Sequence, residues 1–257
     1  MFFPRVIPTL LLNQNYLVKT KKFKNPRYLG DPINAVKIFN EKEVDELTFL
    51  DISASVNKSE PNYKLIENIA SEAFMPLSYG GGINKIQHIK TLFSIGVEKI
   101  ILNSIALENP YFITEASDIA GASSIVVSID YKKNWKKKIC VFSKNIKSAS
   151  SLKLNSYAKE VQNRGAGEII LTSVDNDGCM TGYDYQTISS VCEQLEIPVI
   201  ACGGASSLED MKKVVDCGAA AAAAGNLFLF HGDLKGFLIS YPDRELIENT
   251  FLLKSNS

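Results

Sequence analysis

The chain has 257 residues, 46% of them hydrophobic, with 28 Lys and Arg against 28 Asp and Glu. Its formal net charge of +0 offers no general attraction to nucleic acid or an anionic membrane, and its length is ample for one large core. Five cysteines (Cys140, Cys179, Cys192, Cys202, Cys217), odd in number and without a C-x-x-C pair, read as free thiols of a reducing cytosol and exclude a disulfide framework or zinc site.

The predicted strands are "RVIPTLLL" (5–12), "ELTFLDIS" (46–53), "PLSYG" (76–80), "KIILNS" (99–104), "SIVVSID" (124–130), "EIILTSV" (168–174), "PVIAC" (198–202) and "AAAAAAG" (219–225). Helical patterns such as "PINAVKIFNEK", "NYKLIENIASEAF", "KIQHIKTLFSIG" and "LNSYAKEVQNRG" alternate with them. Strands apolar on both faces and alternating with helices imply a parallel sheet under helices, and eight units in this length fit a (β/α)8 TIM barrel. A doubly wound open sheet is the competitor, but no G-x-G-x-x-G follows the first strand. The alanine run is the least strand-like segment, because alanine favours helix.

The opening "MFFPRVIPTLLL" is broken by Pro4, Arg5 and Pro8 and lacks a basic n-region or cleavage site, so a signal peptide is not expected. No apolar run reaches the roughly 18 residues of a membrane span. The expected location is cytoplasmic, with neither metal nor cofactor.

The chain repeats itself. Glu46 and Glu168, Pro76 and Pro198, and Gly81 and Gly203 stand in matching contexts. The expected organisation is one barrel domain over 1–257, with half-barrels at about 1–120 and 121–240. Its chemistry belongs at the carboxyl ends of the strands.

Two glycine turns, "YGGG" (Tyr79–Gly82) and "CGGA" (Cys202–Ala205), each follow a strand and open a helix. Glycine admits an anion close to the backbone, so both read as phosphate loops, although glycines also serve simply to turn a chain. Asp51, Asn103, Asp130, Thr172, Ser173 and Asp177 fall at strand ends and would line the mouth. Asp130 is the best-placed general acid or base. The half-repeat sets Leu11 where a second carboxylate would face it.

The first loop, Asn13 to Asp31, carries Lys19, Lys21, Lys22, Lys24 and Arg27, and reads either as a lid or as a solvated charge run. "KKNWKKK" (132–138) reads as a hairpin turn. His88 and His231 are not expected to be catalytic. Arg5, Glu46, Lys99 and Glu168 fall at amino ends of strands and would form a charged ring on the barrel bottom.

The motifs "RVIP", "VKT", "GDP", "DELTFLDISASV", "YGGGI", "EKIILNSIALENP", "VVSID", "RGAGEIILTSVDNDG", "GYD" and "ACGGA" together resemble HisF, the cyclase subunit of imidazole glycerol phosphate synthase, over nearly the whole chain. The resemblance implies a phosphate-binding barrel that docks a HisH-like glutaminase on its bottom face and passes ammonia through to a phosphorylated substrate on top. It makes Arg5, Glu46, Lys99 and Glu168 an ammonia gate, Glu98 a docking residue, and Lys19 part of the mobile first loop. It puts Gly81, Gly82, Asn103, Thr172, Gly203, Gly204, Gly225 and Asn226 in two phosphate regions, and makes Asp130 one of two catalytic aspartates. The other aspartate corresponds to Leu11. Cys179 and Met180 also depart from the family's usual Thr and Lys, and Leu11 weighs equally against the sister isomerase HisA.

An intact gate beside an altered catalytic strand is most similar to the second, divergent HisF-type paralogue of surface-glycan clusters. Those paralogues are linked to acetamidino groups on sugars and to a sugar amidotransferase. Genuine cyclase activity in histidine biosynthesis is the alternative, and a non-catalytic scaffold that activates the glutaminase is a third.

Overall fold

A computed structural model describes residues 4–231 and 236–252. Residues 1–3 of the opening segment, read above for a leader, lie outside that range, as does the side chain of His231.

Eight parallel strands close into a ring: β1 (Arg5–Asn13), β2 (Leu47–Asp51), β3 (Leu77–Gly80), β4 (Lys99–Leu102), β5 (Ile125–Lys133), β6 (Glu168–Ser173), β7 (Val199–Cys202) and β8 (Ala221–Ala224). Each pairs with the next, and Arg5 to Pro8 of β1 pair in parallel with Ala221 to Ala224 of β8. Among the described residues, seven helices of eight or more residues connect them, α1 (Pro32–Glu41), α2 (Tyr63–Glu72), α3 (Ile86–Ser94), α4 (Tyr111–Ala120), α5 (Leu154–Asn163), α6 (Tyr185–Cys192) and α7 (Leu208–Asp216), and α8 (Arg244–Leu252) follows β8. This is the (β/α)8 barrel that the alternating pattern predicts. Two of the short motifs are helix starts: Asp31 of "GDP" caps α1 by accepting from the Ile33 and Asn34 amides, and Asp184 of "GYD" caps α6.

Successive side chains of each strand point alternately into the barrel and out to the helices. Val6, Leu10 and Leu12 of β1 join the large cluster beneath the helices, whereas Ile7 joins Ile101, Val126, Ile170 and Ile200 inside. The alanine run obeys the same alternation. Ala221 and Ala223 fill the barrel interior, and Ala222 and Ala224 face the helices. Tertiary packing overrides alanine's helix preference here.

The first loop is more ordered than its sequence suggests. Tyr16–Lys21 and Lys24–Gly30 form an antiparallel hairpin that continues from β1. Its tip residues Lys22 and Phe23 sit at φ 53° and 58° without glycine, which is why no turn signature was visible. A second hairpin pairs the end of β5 with Ile139–Val141, and "KKNWKKK" contains its tip.

At the amino ends of the strands Arg5, Glu46, Lys99 and Glu168 form one closed ring. Arg5 Nη1 lies 2.6 Å from Glu46 Oε2, and its other terminal nitrogen bonds Glu168. Lys99 Nζ lies 3.1 Å from Glu46 and 2.8 Å from Glu168, and Ser78 Oγ donates to Glu46 Oε1 at 2.7 Å. Burial alone would lower the Arg5 pKa, but the two carboxylates hold it above the usual guanidinium value. Removing one member strands its partners in a desolvated site. Arg5→Met is therefore expected to cost about 3–5 kcal/mol in urea unfolding. A loss under about 1 kcal/mol would mean the ring is solvated like surface ion pairs.

Candidate functional site

A cavity of about 220 Å³ opens at the carboxyl ends of the strands. Gly81 and Gly82 after β3, and Gly203 and Gly204 after β7, line opposite sides of it, since those strands are four apart in a ring of eight. Both turns need glycine for the same reason. A side chain on Gly81 (φ 129°) would meet the Asp51 carbonyl at 2.6 Å, and one on Gly203 (φ 90°) would meet the Ser173 carbonyl at 2.8 Å. Asp51 and Ser173 themselves occupy matching positions in the two half-repeats.

Asn103 borders the first glycine turn, and Gly225 and Asn226 border the second. Asn226 Nδ2 donates to the Gly178 carbonyl at 2.9 Å, leaving its Oδ1 buried without a protein partner. A group with a free hydrogen-bond donor entering beside it would satisfy that oxygen.

The strand register divides the mouth into two unlike halves. Leu11 of β1, Leu50 of β2, Gly80 of β3 and Ile101 of β4 are neighbours in one inward-facing row. Asp130 of β5, Thr172 of β6 and Cys202 of β7 form the equivalent row on the other side. Ile52 and Val56 extend the apolar half. Asp130 thus faces Leu11 across the opening, β1 and β5 being opposite strands. Burial pushes the Cys202 thiol up to about 12, so it is a protonated, inert thiol at neutral pH.

Asp130 Oδ2 accepts from Asn103 Nδ2 at 3.0 Å, and the same amide nitrogen donates to the Ser128 carbonyl at 3.0 Å. Burial is the main influence on the carboxyl and pushes its pKa up to about 7; the Asn103 bond opposes this and the charge of Asp177 adds to it. Such a group exchanges protons near neutral pH, as a general acid or base must.

Asp177 is committed to the first hairpin. Its Oδ2 accepts from Thr20 Oγ1 at 3.1 Å and from the Phe23 amide at 3.3 Å. Its carbonyl accepts from the Lys22 amide at 2.9 Å, and Lys19 Nζ lies 3.6 Å from its Oδ1. These contacts hold the glycine-free tip across the mouth. Phe23 then reaches Phe142 of the second hairpin, with ring centroids 6.2 Å apart.

The remaining positions divide plainly. Lys19 and Thr172 line the cavity. Asp51 does too, but its Oδ1 already accepts from Ser53 N, Ser53 Oγ and Ala54 N, closing the turn after β2. Ser173 is not among the lining residues, because it follows Thr172 and so faces the helices. Glu98 is exposed at the other end of the barrel, beside Lys99. The sequence reading missed Phe23 and Phe142 as cavity walls, since only the meeting of two hairpins brings them there. Among the described residues no group of His, Cys, Asp and Glu could hold a metal ion, and no helix is long and apolar enough to cross a membrane.

Two measurements test this geometry. The folded protein binds the Asp130 proton more tightly than the unfolded chain, so stability falls as pH rises from about 4 to about 7, by about 1 kcal/mol per pH unit. Asp130→Asn removes that slope, and its stability relative to the parent is expected to grow between about pH 5 and about pH 7 in urea melts. A constant difference would show an ordinary carboxylate. Asp177→Ala is expected to release the first hairpin, with tryptic cleavage after Lys21, Lys22 or Lys24 at least about tenfold faster. Equal cleavage rates would mean that other contacts hold it.

Comparison with known proteins agrees with this architecture. Residues 5–235 match the family model described as "Histidine biosynthesis protein". The chain is 47% identical over 241 residues to the "Putative imidazole glycerol phosphate synthase subunit hisF2" of Pseudomonas aeruginosa, covering 93% of this chain and 96% of that one. It is 46% identical over 253 residues to a Leptospira interrogans protein named "Putative imidazole glycerol phosphate synthase subunit HisF", covering 98% and 100%. The "Imidazole glycerol phosphate synthase subunit HisF" of Thermococcus onnurineus is 37% identical over 231 residues, covering 89% and 90%. The chain belongs to the histidine biosynthesis protein family, as a divergent member of its HisF type.

Proposed function

We propose that this HisF-type barrel is the ammonia-conducting subunit of a glutamine amidotransferase system rather than a histidine-pathway cyclase. A HisH-like glutaminase docks on the bottom face, around Glu98 and the half-buried ring of Arg5, Glu46, Lys99 and Glu168. Ammonia enters through that ring, crosses the barrel and leaves at the mouth, serving amidation or acetamidino modification of a surface sugar in the cytoplasm. A sugar amidotransferase is then the consuming enzyme.

One observation carries the reading: the ring at the bottom is complete, whereas the mouth has Asp130 facing Leu11. Leucine neither gives nor accepts a proton, and the whole first-half row around it is apolar. Losing a general acid or base commonly costs 10²–10⁴-fold in rate. The identities are consistent with a separate branch, since those to the hisF2 and hisF3 proteins are 47% against 37% for the Thermococcus HisF.

Cyclase activity is the second reading. It is favoured by Asp130, whose carboxyl titrates near neutrality inside a cavity flanked by two glycine turns. The two readings separate in an assay of the purified chain with the bisphosphate substrate of the histidine pathway and ammonium salt, which replaces the glutaminase. No turnover is expected, and turnover abolished by Asp130→Asn would restore the cyclase. Leu11→Asp is expected to create or raise that activity by about 10²–10⁴-fold if the absent carboxylate is the main deficit.

A further inference from the structure

The formal neutrality of the chain conceals a strong separation of charge. Thirteen of its 28 Lys and Arg residues fall within residues 13–30 and 131–153, and neither segment contains an Asp or Glu. The rest of the chain carries 15 basic against 28 acidic side chains. The fold brings both basic segments to the same place: each contains a hairpin beside the cavity, and Phe23 of one meets Phe142 of the other.

Few of these cations are used internally: Lys19 pairs with Asp177, and Lys132 and Lys136 lie over the Phe142 and Trp135 rings, 4.1 and 4.6 Å from their centroids. Among the described residues no ion pair engages any Lys or Arg between 21 and 27 or between 132 and 138. Those from 21 to 27, with Lys133 and Lys136 to Lys138, are exposed. Large aromatic side chains stand among them. Trp135, the single tryptophan of the chain, is 87% exposed, and Tyr28 and Tyr16 are 63% and 52% exposed. The Tyr16 and Tyr28 rings pack edge to face at 5.5 Å. Asn134 Oδ1 accepts from the Lys136 and Lys138 amides at 2.9 and 3.0 Å, which shapes the tip that presents Trp135. Exposed Trp and Tyr within a field of one sign are the anchors of a protein interface, with the surrounding charge selecting and steering the partner.

We propose that this basic, aromatic rim is the docking surface for an acidic protein, the enzyme that consumes ammonia at the mouth. The inference rests on the conduit reading above. Ammonia released into bulk water is protonated and ceases to be a nucleophile, so its consumer must seat over the opening. The two hairpins flank that opening, and their charge calls for an acidic face opposite.

The test measures binding of the purified sugar amidotransferase to the barrel by biolayer interferometry at low and high salt. Two rim variants accompany it, Lys133→Glu with Lys136→Glu and Lys137→Glu, and Trp135→Ala; none of these residues lines the cavity. Affinity is expected to fall at least about tenfold with each variant and to weaken as salt rises. Unchanged binding of the HisH-like glutaminase at the opposite end certifies the fold of each variant. No binding by the parent chain, or equal binding by the variants, overturns the proposal. So does a 20-nucleotide single-stranded DNA that binds the parent as tightly as the protein does and is lost in the same variants, which would make the rim a nucleic-acid surface. Failure of the conduit reading has another signature, cyclase turnover with ammonium salt, and the rim variants leave that assay untouched.

Discussion

Ring closure is the constraint on which the rest of the molecule depends. Once Arg5 to Pro8 of β1 pair with Ala221 to Ala224 of β8, none of the eight barrel strands ends the sheet and each must send alternate side chains inward. The inward set then stacks in three levels along the barrel axis. Arg5, Glu46, Lys99 and Glu168 neutralise one another at the bottom. Ile7, Ile101, Val126, Ile170 and Ile200 are packed within the barrel. Leu11, Asp130, Thr172 and Cys202 face the cavity. Ile101, Leu50 and Cys202 touch both the plug and the cavity, so a substitution at any of them changes two levels at once.

The mouth departs most from the symmetry of the repeat. The two glycine turns kept the same steric demand, each pressed against the carbonyl that ends the second preceding strand. The side-chain rows between them did not stay alike. One became leucine, glycine and isoleucine, and the other aspartate, threonine and cysteine. Burial disfavours the charged form of Asp130 and pushes its carboxyl up to about 7, with the charge of Asp177 adding to the effect.

Much of this was legible in the sequence. The eight strands, the intervening helices and the charged ring follow from apolar alternation and from charges at strand starts. What was not legible depended on register or on contacts between distant loops. Thr172 and Ser173 are adjacent and both small and polar, and only the pleat decides that the first reaches the cavity. The first hairpin carries no glycine turn, because Asp177, some 150 residues away, supplies the hydrogen bonds that hold Lys22 and Phe23 in place. The opposition of Leu11 and Asp130 could be inferred from the repeat, but the apolar row around Leu11 could not. It is made of single residues from four strands.

The interior plug also bears on the conduit we propose. Any species travelling from ring to mouth must cross a layer of isoleucine and valine side chains. A charged ion would lose its hydration there with little beyond the hydroxyls of Thr48 and Ser78 to replace it, at a cost of several kcal/mol. A cation that leaves its proton in water at the ring crosses as a small neutral molecule and faces no such penalty. Glu46 and Glu168 stand at that point, each paired with both Arg5 and Lys99, so a carboxylate relieved of one cation keeps the other. The ring can therefore open on one side with each carboxylate still in contact with a cation. A ring of two anions and two cations in alternation has that property, whereas a single isolated pair does not.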